Sequence, residues 1–205
     1  MIFDTTAIAA MDKLQRVQFA TTLPGPKPLC LVGTRSLAGR SNLAPFSSVT
    51  HLGSNPILIG MVTRPDTVER HTLRNILETQ SWTLNHVTED FVAQAHQCSA
   101  RYPEETSEFE ATGLTEHHHP GITAPFVLES PIRFALKLEE IIDIPSNNTK
   151  LIVGRVCFVE IPDESYSPDG TVDISRSVAS TALDTYFSVK EIARLPYAKP
   201  SPPTP

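Results

Sequence analysis

Apolar residues along this chain gather in short runs separated by polar, turn-forming segments. The runs at 29–33, 57–62 and 82–87 have the length of single strands, while 132–142 and 151–161 have the length of two long strands joined by a polar hairpin. The regular alternation of strands and helices that marks a parallel sheet is missing. The pattern predicts a mainly β protein, folded as a closed antiparallel barrel with a few helices packed outside.

Helical spacing is confined to a few short segments. Leu73, Ile76 and Leu77 stand three and four positions apart, which predicts an amphipathic helix over residues 72–79. A second helix is expected over 7–19.

Other segments are assigned from their polar and turn-forming residues. Helices are expected after Thr88 and after Ser180. Residues 41–48, SNLAPFSS, are predicted to form a turn-rich loop of small side chains. Residues 101–128 contain several prolines and three adjacent histidines, and we expect them to run over the surface.

Size and composition indicate one domain with two extensions. With 205 residues, 40% of them hydrophobic and 20% charged, the chain is long enough to bury a core. Proline-rich segments lie near both ends. We therefore expect an N-terminal arm over 1–28, one domain over 29–195 and a fraying tail over 196–205.

Charge and hydropathy exclude several classes of function. A net charge of −6 without a basic block argues against binding to nucleic acid. Every apolar run is shorter than the roughly 18 residues that span a bilayer. The first residues, MIFDTTAIAAMD, include acids and lack the basic start of a signal peptide. We expect a cytoplasmic protein with neither a membrane nor a nucleic acid as partner.

The cysteines and histidines form no recognised disulfide or metal motif in the sequence. Cys30, Cys98 and Cys157 are far apart, and none belongs to a CxxC pair. Cys30 and Cys157 lie within apolar runs, so we expect both thiols to be buried and inert. The adjacent histidines 117–119 have no carboxylate or cysteine at ligand spacing, so no metal site is predicted.

The candidate functional site lies in the stretch 33–76, and the second half of this stretch suits the binding of a phosphate group. A helix beginning near Thr72 would present unpaired backbone N–H groups and a positive dipole end. Thr72 could donate its hydroxyl, and Arg70, His71 and Arg64 would add positive charge. The plainer alternative is that Thr72 only caps the helix and the arginines are solvated, because such caps are common. Asp66 and Glu69 resemble a capping box and are assigned no catalysis.

The first half of that stretch suits a flat ring. Small side chains in 41–48 would let a ring lie against the backbone, whose amides can bond ring carbonyls and nitrogens. Ser47 and Ser48 add hydroxyl groups. From composition only, the same residues describe a plain loop leading into a strand.

Several short motifs occur in the order and spacing of a known family. They are NLAPFSS from Asn42, SNPI from Ser54, RHTLRNI from Arg70, WTLNH from Trp82, FEATGL from Phe109, LIVGRV from Leu151, and Tyr186 followed by RLPYAKP from Arg194. This ordered set resembles the flavin reductase-like, FMN-binding split-barrel family. The resemblance extends from about Leu29 to Pro200.

The resemblance implies a six-stranded antiparallel split barrel, noncovalently bound FMN, and a homodimer with the flavin near the subunit interface. It places Asn42, Ala44, Ser47 and Ser48 along the flavin ring and ribityl chain. It places Arg70, His71, Thr72 and Asn75 at or near the phosphate.

One motif departs from the family pattern. The family commonly has Lys-Asp-Thr where this chain has Arg70-His-Thr. Arginine keeps the positive charge and can bind phosphate through two hydrogen bonds. Histidine at position 71 removes a negative charge, which leaves the role of that position open.

The activity implied is NAD(P)H-dependent reduction of flavin, in which hydride passes from nicotinamide C4 to flavin N5 without an acid–base side chain. The GxGxxG fingerprint is missing, so the nicotinamide would dock on the flavin face. An alternative is an FMN-binding electron carrier, like a flavoredoxin, that serves a protein or small-molecule acceptor. A third is a member that has lost flavin, although the hydroxyls and arginines speak against it. Tyr186 and Lys190 lie on the expected C-terminal helix and could close the site. The alternative is that Tyr186 only packs and that the charge of Lys190 is solvated.

Overall fold

A computed structural model describes residues 1–64, 70–103 and 105–200. The helices within these ranges are α1 Thr5–Ala10, α2 Lys13–Thr22, α3 His71–Thr79, α4 Val92–Gln97 and α5 Glu108–Thr112. The strands are β1 Lys27–Pro28, β2 Cys30–Arg35, β3 Ser41–Phe46, β4 Val49–Ser54, β5 Ile57–Thr63, β6 Ser81–His86, β7 Glu116–His117, β8 Phe126–Val127, β9 Arg133–Ile144, β10 Thr149–Glu160, β11 Val178–Thr181 and β12 Thr185–Ser188. The prediction of a mainly β protein is confirmed. The Asp66 and Glu69 capping box lies outside the described residues.

The main sheet is antiparallel, with the order β3-β2-β6-β9-β10-β5-β4. Seven strands thus stand where six were expected. The two edge strands, β3 and β4, follow each other in the chain and are joined only by Ser47 and Ser48. The three residue steps from the end of β3 at Phe46 to the start of β4 at Val49 can span at most about 11 Å. The sheet must therefore curl until its two edges meet at this connection. We call this connection the seam of the barrel.

The Ser48 side chain extends the pairing of β4 with β5 by one residue. The Ser48 hydroxyl donates to the Val62 carbonyl at 2.8 Å and accepts from the Val62 amide at 3.1 Å. A serine at position 48, just before β4 begins, therefore satisfies both backbone groups of Val62 on β5.

Both faces of the central strands are buried, as alternation along β2 shows. Leu31 belongs to an outer cluster that includes Phe91 and Phe109. Its neighbours in the chain, Cys30 and Val32, belong to an inner cluster formed by residues of β2, β5, β6, β9, β10 and α3. Successive side chains of a strand point to opposite faces, so one run of apolar residues serves two cores.

The predicted amphipathic helix is confirmed as α3, one residue longer at its start than expected. Leu73 and Ile76 are buried in the inner cluster, whereas Leu77 is half exposed. The expected helix over 7–19 is divided into α1 and α2. Asp12 starts the second helix by accepting hydrogen bonds from the amides of Leu14 and Gln15.

Two local predictions are wrong. Residues 41–46 form strand β3 rather than a loop, paired with β2 from Ser41 opposite Arg35 to Phe46 opposite Cys30. Pro45 is tolerated because β3 is an edge strand. The residues after Ser180 form the β11–β12 hairpin rather than a helix, with Tyr186 opposite Ser180. The β-branched and aromatic residues Thr-Tyr-Phe favour the extended backbone.

The segment 101–128 is not simply a surface excursion. Phe109, Leu114, Phe126 and Val127 are all buried. Phe109 and Leu114 stand singly in the sequence, and Phe126 and Val127 follow a proline in a short apolar run, so no periodic pattern marks the four residues.

The three thiols differ in their surroundings. Burial raises the pKa of Cys30 and of Cys98 to about 12, which makes both thiols unreactive. Cys157 is exposed, and the prediction that it is buried is wrong. It occupies an outward position on β10, whose apolar run alternates between the inner cluster and the surface. Within the described ranges, no helix is both long and apolar enough to cross a membrane.

Candidate functional site

A cavity of about 740 Å³ opens beside the seam. One wall is formed by β3 and the seam, and another by the end of β5 with Arg64. The start of α3 closes one end. This volume lies within the range of cofactor and small-molecule sites, roughly 300–1,000 Å³.

Seven of the eight site residues predicted from the sequence line this cavity. They are Asn42, Ala44, Ser47, Ser48, Arg70, His71 and Thr72. Asn75 does not line it. The tertiary structure thus brings together two segments that are about 25 residues apart in the chain.

Asn75 instead belongs to a buried hydrogen-bond network behind the cavity wall. Its Nδ2 donates to Thr34 Oγ1 at 3.1 Å. Asn42 Nδ2 donates to the same Thr34 oxygen and to Thr72 Oγ1, both at 3.1 Å. Asn42 therefore ties β3 to α3. Because the Thr72 oxygen accepts this bond, its hydroxyl hydrogen can be donated elsewhere.

The start of α3 leaves backbone donors without a partner inside the helix. Arg70 is the N-cap residue with an extended backbone, φ −128° and ψ 106°, and no side chain of the described residues caps the helix. The first helical bond runs from the Arg74 amide to the Arg70 carbonyl. The amides of His71, Thr72 and Leu73 precede that bond and have no partner within the helix. Thr72 is not the cap, which rules out the plainer interpretation of this residue.

Positive charge gathers at the same end of the cavity. Arg64 and Arg70 line it, together with the imidazole of His71. A helix N-terminus with cationic side chains beside it favours phosphate or carboxylate groups.

The two serines of the seam differ in what they can offer a ligand. The Ser48 hydroxyl is engaged with both backbone groups of Val62, so its side chain ties the seam to β5. Ser47 and Ala44 line the cavity and are half buried. Small side chains at these positions leave the backbone accessible to a flat ligand.

Glu108 is a cavity residue that sequence reasoning missed. Its Oε2 accepts a hydrogen bond from the Leu43 amide at 2.9 Å, and the side chain is buried. Burial raises the pKa of this carboxyl group, while the Leu43 amide acts in the opposite direction. Glu108 immediately precedes the FEATGL motif, which was the one available signal. It holds β3 in position and lies beside the cationic end.

The mouth of the cavity is formed by segments that were given no site role. Thr21 and Pro24, at the end of the N-terminal arm, and Leu183, in the β11–β12 turn, line it. Tyr186 donates its hydroxyl to the Leu183 carbonyl at 2.9 Å, and His96 Nδ1 lies 2.7 Å from the same hydroxyl. Tyr186 thus supports the turn.

The backbone of this turn needs that support. Ala182 and Leu183 have left-handed φ values of 55° and 62°. Residues with a Cβ rarely adopt such values. Lys190, the other residue considered for closing the site, is not among the residues that line the cavity.

Taken together, these residues fit a flat ligand that carries a phosphate group. The seam offers small side chains and backbone, and the far end offers helix amides, a threonine hydroxyl and cationic side chains.

Comparisons with known proteins agree with this geometry. Residues 25–181 match the family described as flavin reductase like domain. A split-barrel protein assigned as a flavin reductase, from Shewanella frigidimarina NCIMB 400, has a similar solved structure. Its TM-score is 0.93, its sequence is 42% identical, and the match covers 97% of this chain and 100% of that one.

Two further relatives extend the comparison. An uncharacterized protein of Halalkalibacterium halodurans is 34% identical over 186 residues, which cover 85% of this chain and 88% of the relative. The flavoredoxin of Desulfovibrio vulgaris (Miyazaki F) has a TM-score of 0.74 at 26% identity, covering 86% of this chain and 94% of that one. These likenesses support a flavin-binding, oxidoreductase-like function.

The matched region spans the seven-stranded barrel, α3 and all eight predicted site residues, and it includes every motif from NLAPFSS to LIVGRV. By sequence and by fold, the chain belongs to the flavin reductase-like family.

Proposed function

We propose that the protein binds FMN noncovalently in this cavity and acts as an NAD(P)H-dependent flavin reductase. One observation carries the proposal: the cavity joins a cationic helix N-terminus to a wall of small side chains, which matches the two ends of FMN. FMN, once bound, would supply the redox chemistry as the acceptor of hydride from the nicotinamide.

The phosphate would be held at the start of α3. The amides of His71, Thr72 and Leu73 supply donors along the helix axis, and the Thr72 hydroxyl adds another. Arg70 and Arg64 add charge-assisted hydrogen bonds, which are roughly twice as strong as neutral ones. Asn42 contributes by fixing the Thr72 oxygen, and Asn75 acts through Thr34 rather than by contact with the ligand.

The flavin ring would lie against the seam. Ala44 and Ser47 leave room for a planar group, and backbone amides there can donate to the ring carbonyls. The Ser48 hydroxyl is occupied by Val62, so we assign Ser48 a backbone contact only. Glu108 is assigned a positioning role, since its carboxylate holds the Leu43 amide of β3.

A second candidate function is an FMN-binding electron carrier. The likeness to a flavoredoxin favours it, because that name describes an electron-transfer protein. A carrier would keep its flavin and oxidise NAD(P)H slowly, whereas a reductase would turn over NAD(P)H with added flavin as acceptor.

We also propose that the protein forms a homodimer, as the family resemblance implies. Large apolar side chains remain exposed on the last two strands at one side of the sheet: Leu52 on edge strand β4 is 44% exposed and Ile57 on its neighbour β5 is 50% exposed. A second copy of the chain would cover them.

The decisive experiment is an absorption spectrum of the purified protein with and without added FMN, followed by anaerobic addition of NADH. We expect the visible bands of bound oxidised flavin, which bleach when NADH is added. Rapid bleaching with multiple turnover supports the reductase, and slow bleaching supports the carrier. A colourless protein that fails to bind FMN would contradict both.

A further inference from the structure

We propose that His117, His119 and Glu160 form a binding site for Zn²⁺, or for a similar divalent transition metal, outside the cofactor cavity. None of the three belongs to the described lining of that cavity. The site is therefore independent of the proposed flavin function.

The three side chains converge from two separate parts of the fold. His117 ends the short strand β7, and His119 follows two residues later. Glu160 is the last residue of β10. One potential ligand atom from each residue lies within 4.8 Å of the other two. Sequence reasoning found no acidic partner for the histidines, because Glu160 is 41 residues beyond His119 in the chain.

The spacing of the imidazole nitrogens suits a shared metal ion. His117 Nε2 and His119 Nε2 are 3.3 Å apart. In a tetrahedral zinc site, with Zn–N bonds of about 2.0–2.1 Å, two nitrogen ligands are about 3.3 Å apart. The His119 Nε2 to Glu160 Oε2 distance is 2.5 Å. It would need to lengthen by about 0.8 Å, which a modest rotation of the carboxylate can provide.

The histidine rings are held in place by aromatic neighbours. The His119 ring lies 4.5 Å from the Phe158 ring and 5.4 Å from the Phe126 ring, measured between centroids. The His117 and His119 rings meet edge to face at 4.8 Å. Apolar packing of this kind reduces the entropy lost when ligands are fixed around an ion.

The cluster is also accessible from solvent. The side chains of His119 and Glu160 are 26% and 34% exposed, so an ion can enter without local unfolding.

Arg133 orients the carboxylate. Its Nε and Nη2 donate to the two oxygens of Glu160 at 2.8 and 2.5 Å. The positive charge of Arg133 opposes a cation, but Glu160 neutralises it, and Arg133 also donates to the carbonyls of Leu128 and Ser130. Partners of this kind commonly orient the carboxylate ligands of metal ions.

The ligand set indicates which metal would bind. Two imidazoles and one carboxylate are typical zinc ligands, and the fourth position would be taken by water. A bound ion would link the β7–β8 hairpin to the end of β10 and so stabilise a segment that has little regular structure.

His118 provides a matched control. Its Nε2 contacts Glu116 Oε1 at 2.8 Å, and it is not part of the cluster. It has the same residue type and stands between the two proposed ligands in the chain.

The test is calorimetric titration of the chelator-treated protein with Zn²⁺ alone. We expect one ion per chain for the wild type and for His118→Ala. We expect His117→Ala and His119→Ala each to weaken binding by roughly tenfold or more, since a direct ligand should matter at least as much as an outer partner. Circular dichroism would verify that every variant is folded.

Thermal unfolding gives a second readout. Saturating Zn²⁺ should raise the melting temperature of the wild type and of His118→Ala but not that of His119→Ala. Failure of the wild type to bind one Zn²⁺, or an equal loss in His118→Ala, would overturn the proposal. In the first case the three side chains would form only a hydrogen-bonded cluster. In the second case the histidines would form an unspecific metal-binding surface.

Discussion

Two buried asparagine bonds determine how Thr72 faces the cavity. Asn42 donates to Thr72 and to Thr34, so the oxygen of Thr72 is already an acceptor and its hydrogen is available to a ligand. A threonine at the second position of a helix otherwise has no special reason to be buried.

We predict that Thr72→Ala weakens FMN binding by roughly ten- to a hundredfold, because a hydrogen bond to a charged group contributes about 1.5–3 kcal/mol. Thr72→Ser keeps the hydroxyl and should bind nearly as tightly as the wild type. Quenching of flavin fluorescence on titration measures both affinities. Equal affinity for the alanine variant and the wild type would show that Thr72 does not contact the phosphate.

His86 links the stability of the fold to pH. Its Nδ1 lies 2.8 Å from the Ser177 hydroxyl, and burial lowers the pKa of the imidazole to about 4 from 6.5. Between these two values the unfolded chain binds more protons than the folded one. Stability is therefore lost as the pH falls through this window.

We predict that this residue costs the wild type about 3 kcal/mol of stability between pH 7 and pH 4. Urea unfolding of the wild type and of His86→Gln at pH 7 and at pH 4 tests this prediction. Relative to the wild type, the variant should gain about 3 kcal/mol of unfolding free energy when the pH is lowered from 7 to 4. The control is His51→Gln, at an exposed position on β4, which should show no such shift. A parallel pH dependence of the wild type and His86→Gln would contradict the assignment.

At the scale of the elements, Gly154 on β10 determines how the inner cluster is filled. A Cβ at Gly154 would overlap the six-membered ring of Trp82 and lie 3.0 Å from Leu136 Cβ. Trp82 is 1% exposed and among the largest buried side chains of the inner cluster, so it has no free space into which to move.

We predict that Gly154→Ala lowers the free energy of unfolding by roughly 1–3 kcal/mol, the usual cost of overpacking a core. Gly53→Ala on β4 is the matched control, because its nearest contact would be an ordinary 3.5 Å. Chemical denaturation of both variants gives the comparison. A Gly154→Ala protein as stable as the control would mean that the core repacks around the new methyl group.

At the scale of the molecule, curling of the sheet creates both the cavity and the exposed edge. Because Ser47 and Ser48 join the two edge strands, the cavity lies where the barrel closes. The same edge leaves Leu52 and Ile57 exposed on β4 and β5.

We predict a dimer in solution, with about twice the mass of one chain by light scattering, as expected when a second copy covers this apolar edge. Charged residues at an apolar interface oppose association, so Leu52→Glu with Ile57→Glu should shift the protein to monomer. Leu14→Glu on α2, at a position that is 78% exposed, should leave the mass unchanged. A monomeric wild type would remove the basis for a subunit interface near the flavin.

Part of the site could be predicted from local pattern, and part could not. Helix α3 was predictable because its apolar spacing is local, and its charged start is visible in the chain. β3 was misread because it lacks alternating polar and apolar positions and contains Pro45, and its strand conformation depends on pairing with β2. The FEATGL motif indicated the neighbourhood of Glu108 but not its role, because its partner is the Leu43 amide, 65 residues away.

The sequence by itself determined the mainly β character, the long β9–β10 hairpin, α3 and the family, because periodicity and short motifs are carried by neighbouring residues. Only the tertiary structure decided that the barrel closes at two serines, that Asn75 stands behind the cavity wall, and that Glu160 meets His119. Each of these depends on how the sheet curls and on contacts between distant residues. Such contacts are set by the packing of whole strands, so no local pattern in the chain records them.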